Sequence, residues 1–324
     1  MTPPALDDLY AARAALDGHV RRTPLMRHPL LTAEAGLDIY VKHENHNPTG
    51  AFKIRGGLNL IASLSDAERR RGVITASTGN HGQSIAYASQ LRGVSCIVAV
   101  PKDNNPQKNA KMRAFGATVV EQGKDFDEAR EWVEREAEAT GRRYVHSANE
   151  PLLIAGVGTY ALEIFEDLPD PDVMLVPIGG GSGACGCCIA RTGLGKRTRI
   201  IGVQAAGADA FARSWRGPDR VVATHTATFA EGLATRHSFD LTFGILKREL
   251  YDVVTLTEAE LEEGVRLALR ATQNLAEGAG AAALIAAVKM REALQGRTVV
   301  CVMSGGNLSM SALQRIVGAV SDSV

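Results

Sequence analysis

The sequence predicts an α/β fold in two lobes, and three features carry that expectation. Short apolar runs rich in β-branched residues alternate with longer helical patterns, the signature of βαβ units around a parallel sheet. The chain has 324 residues, 45% of them hydrophobic, enough for one large core or two linked ones and too many for a single small module. The strand-like runs also fall into two sets along the chain.

The first set is 73–77, 95–100, 117–121 and 143–146, separated by helix-like stretches near 80–92, 106–115 and 125–140. The second is 173–178, 199–204, 253–256 and 298–303, with helices beginning near Gly183, Glu258 and Gly278. Thr257 followed by Glu258 and Glu260 reads as an N-cap with acidic residues in the first turn, where they complement the helix dipole. No low-complexity linker or repeat interrupts the chain. Its end soon after the last strand leads us to expect no appended regulatory domain.

Lys+Arg and Asp+Glu balance at 36 each, so no overall field favours nucleic acid, an anionic membrane or an acidic partner, and a small ligand is expected. The apolar runs are far shorter than the roughly 20 residues of a membrane span. The N-terminus lacks a basic start and an apolar stretch, so a cytoplasmic location is expected. The five cysteines, at 96, 185, 187, 188 and 301, are odd in number and have no histidine at a zinc-ligand spacing nearby, which disfavours a disulfide framework. Cys185, Cys187 and Cys188 read either as a soft-metal or redox site or as small side chains packing a helix on a sheet, and packing is the expectation.

Four short segments carry chemistry. In Asn47-Pro-Thr-Gly-Ala-Phe-Lys-Ile-Arg-Gly56, Lys53 follows a Pro/Gly turn between an aromatic and a β-branched neighbour. Partly apolar surroundings disfavour the charged amine and make it more nucleophilic, although a lone lysine is more often a solvated surface charge. Ser77-Thr78-Gly79-Asn80-His81-Gly82-Gln83 follows a strand and opens a helix, where exposed backbone N–H groups bind carboxylates and phosphates. An ordinary capped βα turn explains Ser77 or Thr78 but not the Asn80-His81 pair. Gly179-Gly180-Gly181-Ser182-Gly183 again links a strand to a helix, with no Cβ atoms obstructing an approaching phosphate and without the spacing or lysine of a P-loop. Ser304-Gly-Gly-Asn307 ends the last strand, where a hydroxyl can enter a crevice.

In this order, TGAFKIRGG, STGNHGQ, VPIGGGSG and MSGGN resemble the fold type II pyridoxal-phosphate enzymes, specifically the serine/threonine dehydratase and serine racemase branch. The resemblance runs from about Arg22 to Asn307. It implies a two-domain, tryptophan synthase β-like fold, with a large domain of 1–71 and 151–324, a small inserted domain of 72–150, and the active site between largely parallel sheets. It also implies pyridoxal 5′-phosphate as cofactor, an amino-acid substrate and a homodimer. By the same resemblance Lys53 forms the Schiff base, Phe52 packs against the cofactor ring and Asn80 meets its 3′ oxygen. Gly179, Gly180, Gly181, Ser182 and Gly183 take its phosphate, and Ser304 faces its pyridine nitrogen. Ser77, Thr78, Gly79, Asn80 and His81 take the substrate.

The implied reaction is elimination of water and ammonia from a β-hydroxy amino acid such as threonine, serine, 3-hydroxyaspartate or phenylserine, leaving a 2-oxo acid. A hydroxyl at Ser304, in place of an acidic residue, makes the ring a weaker electron sink, which suits elimination over prolonged carbanion chemistry. Racemases of the family place a serine on the ring face opposite the lysine, and Thr78 matches it with an added methyl and stiffer rotamers. Synthase-type relatives show SGNTG where STGNHG stands here, so His81 favours dehydratase over β-replacement, and the intact Lys53 argues against a silent cofactor binder.

Many relatives bind a divalent cation through two carboxylates, but the matching positions are Gln204 and Ala210, with Asp209 as neighbour, so no metal site is expected. Glu231 and Glu277 fall where relatives approach the cofactor edge; Glu277 has either a role near the ring or that of a helix-start charge. Arg236 and His237 either meet a substrate side chain or are solvated loop residues, the latter being slightly favoured.

Overall fold

The computed structural model describes residues 1–318, and its strands form two sheets. They are β1 (Leu25–Arg27), β2 (Asp38–His43), β3 (Val73–Ala76), β4 (Cys96–Val100), β5 (Thr118–Glu121), β6 (Arg143–Tyr144), β7 (Val173–Pro177), β8 (Arg199–Ala205), β9 (Asp252–Leu256) and β10 (Thr298–Met303). The six-stranded sheet has the order β1-β2-β10-β7-β8-β9 and the four-stranded sheet the order β5-β4-β3-β6. Every pairing between these strands is parallel except β1 with β2.

Each expected strand is present, and Thr257 caps the Glu258–Thr272 helix through a reciprocal capping box with Glu260. The reading missed β1 and β2, which complete the larger sheet. The β2 run ends in Lys42, His43 and Glu44, which look like exposed residues but are fully buried, with the Lys42 ammonium 2.5 Å from Glu163 Oε2. It also missed the Pro151–Asp167 helix, a nearly all-apolar run buried on most sides, where no amphipathic stripe shows helical period.

The Lys53–Ala62 helix lies against the Asn80–Leu91 helix on one side and the Pro151–Asp167 helix on the other. Both crossings depend on missing side chains. A Cβ on Gly57 would lie 2.3 Å from Ser84 Oγ, one on Gly56 2.8 Å from the Leu153 carbonyl, and one on Gly156 2.4 Å from the Arg55 carbonyl. Cys185, Cys187 and Cys188 sit in the Ser182–Gly193 helix, fully buried in the core that this helix shares with Tyr160, Ile164 and Val176. Burial pushes the Cys187 thiol up to about 12, so it packs as a neutral group.

Gly156→Ala should therefore destabilise the protein by about 1–3 kcal/mol through forced separation of two helices. Gly244→Ala, in the Asp240–Glu249 helix with nothing near its Cβ position, should be neutral or stabilising by about 0.5–1 kcal/mol. Thermal melts of the two variants check this contrast, and equal melting points would refute it.

Candidate active site

Three strands deliver their carboxyl ends to one cleft of about 750 Å³: Ser77 follows β3, Gly179 follows the β7 loop, and Ser304 follows β10. The Lys53 turn is tied to the last of these. Phe52 N–H donates to the Ser304 carbonyl at 3.0 Å, Gly306 N–H donates to the Gly50 carbonyl at 2.9 Å, and Ala51 bridges Gly305. Gly50 has φ +72°, the left-handed turn that brings the chain round before Lys53 opens its helix.

Lys53 Nζ points into the cleft, 2.9 Å from Ser182 Oγ and 3.3 Å from the Ser147 carbonyl. The same nitrogen lies 5.3 Å from the centre of the Phe52 ring. No carboxylate among the described residues compensates it, and burial lowers its amine to about 8. Phe52 also meets Tyr160 edge-on and stands where a Cβ on Gly183 would come within 3.2 Å.

The glycine loop is shaped by close approach. A Cβ on Gly179 would fall 2.1 Å from the Gly232 carbonyl and one on Gly180 2.9 Å from Ala148 Cβ. Gly181 N-caps the Ser182–Gly193 helix at φ +91° with no side chain bonded to the first amides. Those amides remain open to an anion.

In the 77–83 loop, Ser77 Oγ accepts from the Gly79 and Gly82 N–H groups at 3.1 and 2.8 Å. The Thr78, Asn80 and His81 N–H groups find no acceptor among the described residues. Thr75 Oγ1 donates to the Val145 carbonyl, so at 2.9 Å it accepts from His81 Nε2–H. Burial, reinforced by the nearby Lys53, holds the His81 imidazole at about 3, and it stays neutral. What His81 leaves for a ligand is its backbone amide.

Asn80 Nδ2 donates to Glu277 Oε1 at 2.6 Å, and Asn307 Nδ2 donates to Asn80 Oδ1 at 2.8 Å. Glu277 is both a helix-start residue, preceding the Gly278–Lys289 helix, and a site residue; burial raises its carboxyl, opposed mainly by Lys108 and Asn80. Ser304 Oγ has only a long 3.4 Å contact to the Ala279 carbonyl, leaving a neutral hydroxyl at the cleft wall. Arg236 is a loop residue with 34% of its side chain exposed, held by ion pairs. It pairs with Asp127 and lies 3.8 Å from Asp125, joining the 231–237 loop to the Phe126–Thr140 helix; His237 lines the cleft beside Phe239.

Lys108 lines the cleft and Lys111 Nζ donates to Asn307 Oδ1 at 2.6 Å, two lysines that the sequence did not single out. Gln204 Oε1 accepts from Ala212 N–H at 2.8 Å, while Asp209 pairs with Arg213. Gln204 thus fastens β8 to the helix Ala210–Arg216, and the Asp209–Arg213 pair lies at the start of that helix.

A family model described as pyridoxal-phosphate dependent enzyme matches residues 16–305. The chain belongs to that family. An L-threonine ammonia-lyase of Thermotoga maritima is 39% identical over 312 residues, 96% of this chain and 78% of that protein. A catabolic L-threonine dehydratase of Escherichia coli is 34% identical over 98% of this chain and 97% of its own. The structure of maize serine racemase superposes with a TM-score of 0.92 at 28% identity, covering 98% of both chains. Pyridoxal phosphate is the cofactor of this pyridoxal-phosphate enzyme, and the cleft fits it. The open amides at the start of the Ser182–Gly193 helix can take its phosphate, and a lysine with no counter-ion among the described residues faces the same space.

Lysine labelling read by mass spectrometry tests the Lys53 environment. In the apoprotein, Lys53 should gain reactivity toward an amine reagent as pH rises through about 8, because only the unprotonated amine reacts. A profile still rising toward 10.5, like that of solvated lysines, would contradict it.

Proposed function

We propose that this chain is a pyridoxal-phosphate dependent ammonia-lyase that converts a β-hydroxy amino acid to a 2-oxo acid and ammonia by α,β-elimination. The observation that carries the reading is the meeting, in one cleft, of a Lys53 amine with no ion pair among the described residues, a helix start whose Thr78, Asn80 and His81 amides are open, and a neutral Ser304 hydroxyl. Threonine and serine are the leading substrates, with 3-hydroxyaspartate and phenylserine sharing the same α-carbon requirements.

When bound, the cofactor withdraws electrons from the substrate α carbon. Lys53 is its attachment point and, once freed by the substrate amine, the base whose Nζ takes the α proton; an amine near 8 suits that task at neutral pH. The open Thr78, Asn80 and His81 amides hold the substrate carboxylate, so that the α proton is presented to Lys53. Gly179, Gly180, Gly181, Ser182 and Gly183 hold the phosphate, with Phe52 beside the ring. Asn80, kept in place by Glu277 and Asn307, supplies an amide donor at the ring oxygen, and Ser304 offers the ring nitrogen a partner that cannot protonate it strongly.

Thr78 retains a hydroxyl with no protein partner among the described residues, the feature that favours a racemase as the second reading. The lobes are taken as 72–150 inserted between 1–71 and 151–324, and the working form as a cytoplasmic homodimer, on the family resemblance. No divalent cation is required, since Gln204 and Ala210 bring no charge to the position where relatives hold one.

The test is an assay of ammonia and 2-oxo acid release from a panel of β-hydroxy amino acids, with and without chelator. The wild type should turn over at least one of them equally in both conditions, and Lys53→Ala should lose at least about a thousandfold in rate. Full turnover by Lys53→Ala, or activity abolished by chelator, would overturn these assignments.

A further inference from the structure

Lys108 lies on the Pro106–Ala114 helix, in the lobe that carries the four-stranded sheet, and its side chain is only 10% exposed. It crosses the carboxylate loop. A Cβ on Gly79 would stand 3.2 Å from Lys108 Cδ and 3.5 Å from its Nζ. The ammonium therefore sits beside the turn whose Thr78, Asn80 and His81 amides are open.

Its partner is Glu231 Oε2 at 2.8 Å, on a side chain that is 44% exposed. The pair is unequal. A buried ammonium needs an anion nearby, whereas a half-exposed carboxylate regains water readily when released. Lys53 is engaged with Ser182 and Ser147, and Lys111 with Asn307 Oδ1.

We propose that Lys108 is a substrate-binding residue that supplies the cationic side of the carboxylate site, with Glu231 as the counter-ion that the incoming carboxylate displaces or shares. The inference rests on the reading of the 77–83 loop as the substrate's carboxylate site. It adds a charge from a different helix to the backbone amides, and it explains why Gly79 must stay small: a larger residue would push the ammonium away from the loop.

The test uses two ligands that cannot eliminate. L-Alanine has the amine and carboxylate but no β leaving group, and ethylamine replaces its carboxylate with hydrogen; binding of each to the holoenzyme is read from the visible absorbance. Lys108→Met should weaken alanine binding roughly ten- to a hundredfold and leave ethylamine within about twofold. Lys108→Arg should restore alanine affinity to within a few-fold. Glu231→Gln, which removes the competing anion, should tighten alanine and not ethylamine. Unchanged alanine affinity in Lys108→Met, or parallel losses for both ligands, would overturn the proposal. Neither ligand reports on elimination, so these outcomes stand apart from any failure of the lyase reading itself.

Discussion

Arg55, two residues beyond Lys53, is 1% exposed and shared by two carboxylates: its Nε lies 2.8 Å from Glu44 Oε2 and its Nη1 2.7 Å from Glu163 Oε1. Lys42 completes the cluster at 2.5 Å from Glu163 Oε2, and Thr23 Oγ1 donates to Glu44 Oε1. The contacts join β2, the segment before β1, the Lys53–Ala62 helix and the Pro151–Asp167 helix. Removing one member of such a cluster leaves an uncompensated buried charge, a loss of about 3–5 kcal/mol. The helix that carries Lys53 is thereby fixed from behind, while its first residue looks into the cleft with no carboxylate of its own. Charge is compensated below the amine and withheld above it, and the buried Lys53 ammonium loses its proton more readily than a solvated lysine.

The cleft itself follows from the parallel topology. Loops at the carboxyl ends of β3, β7 and β10 converge, and each ends in small or hydroxylic residues that let backbone amides and short side chains reach a ligand. The two sides are then held together by polar contacts across the gap: Asn80 with Glu277, Lys111 with Asn307, Lys108 with Glu231 and Arg236 with Asp127. Glu277, Lys108 and Asn307 are buried, whereas Arg236 and Glu231 are a third or more exposed, so each of the two ion pairs sets a less exposed group against a more exposed one.

Much of this was legible in the chain. Lys53, the 77–83 loop, the 179–183 loop and Ser304 are short local patterns next to strands, and the structure brings all four to one place. What stayed hidden is long-range. Lys108 and Glu231 are 123 positions apart, and nothing in either neighbourhood says that one helix aims its lysine at the other's loop. The burial of Lys42 depends on Glu163, 121 positions away, and the β2 strand that carries it was missed. His81 was legible as a residue of the loop, but the direction of its imidazole depends on Thr75 and Val145 and so on the packing of β3 beside β6. The ion pairs of Arg236 were hidden for the same reason, since its partners Asp125 and Asp127 belong to the other side of the cleft.

The central claim is that a single base, Lys53, acts on a substrate whose β hydroxyl leaves, and the fate of L-threonine in deuterium oxide tests it most directly. The account predicts that ammonia and 2-oxobutanoate appear in equal amounts and that unreacted threonine keeps its L configuration. Recovery of threonine deuterated and inverted at the α carbon, with no 2-oxo acid formed, would mean that the proton returns from the opposite face, and would contradict the account.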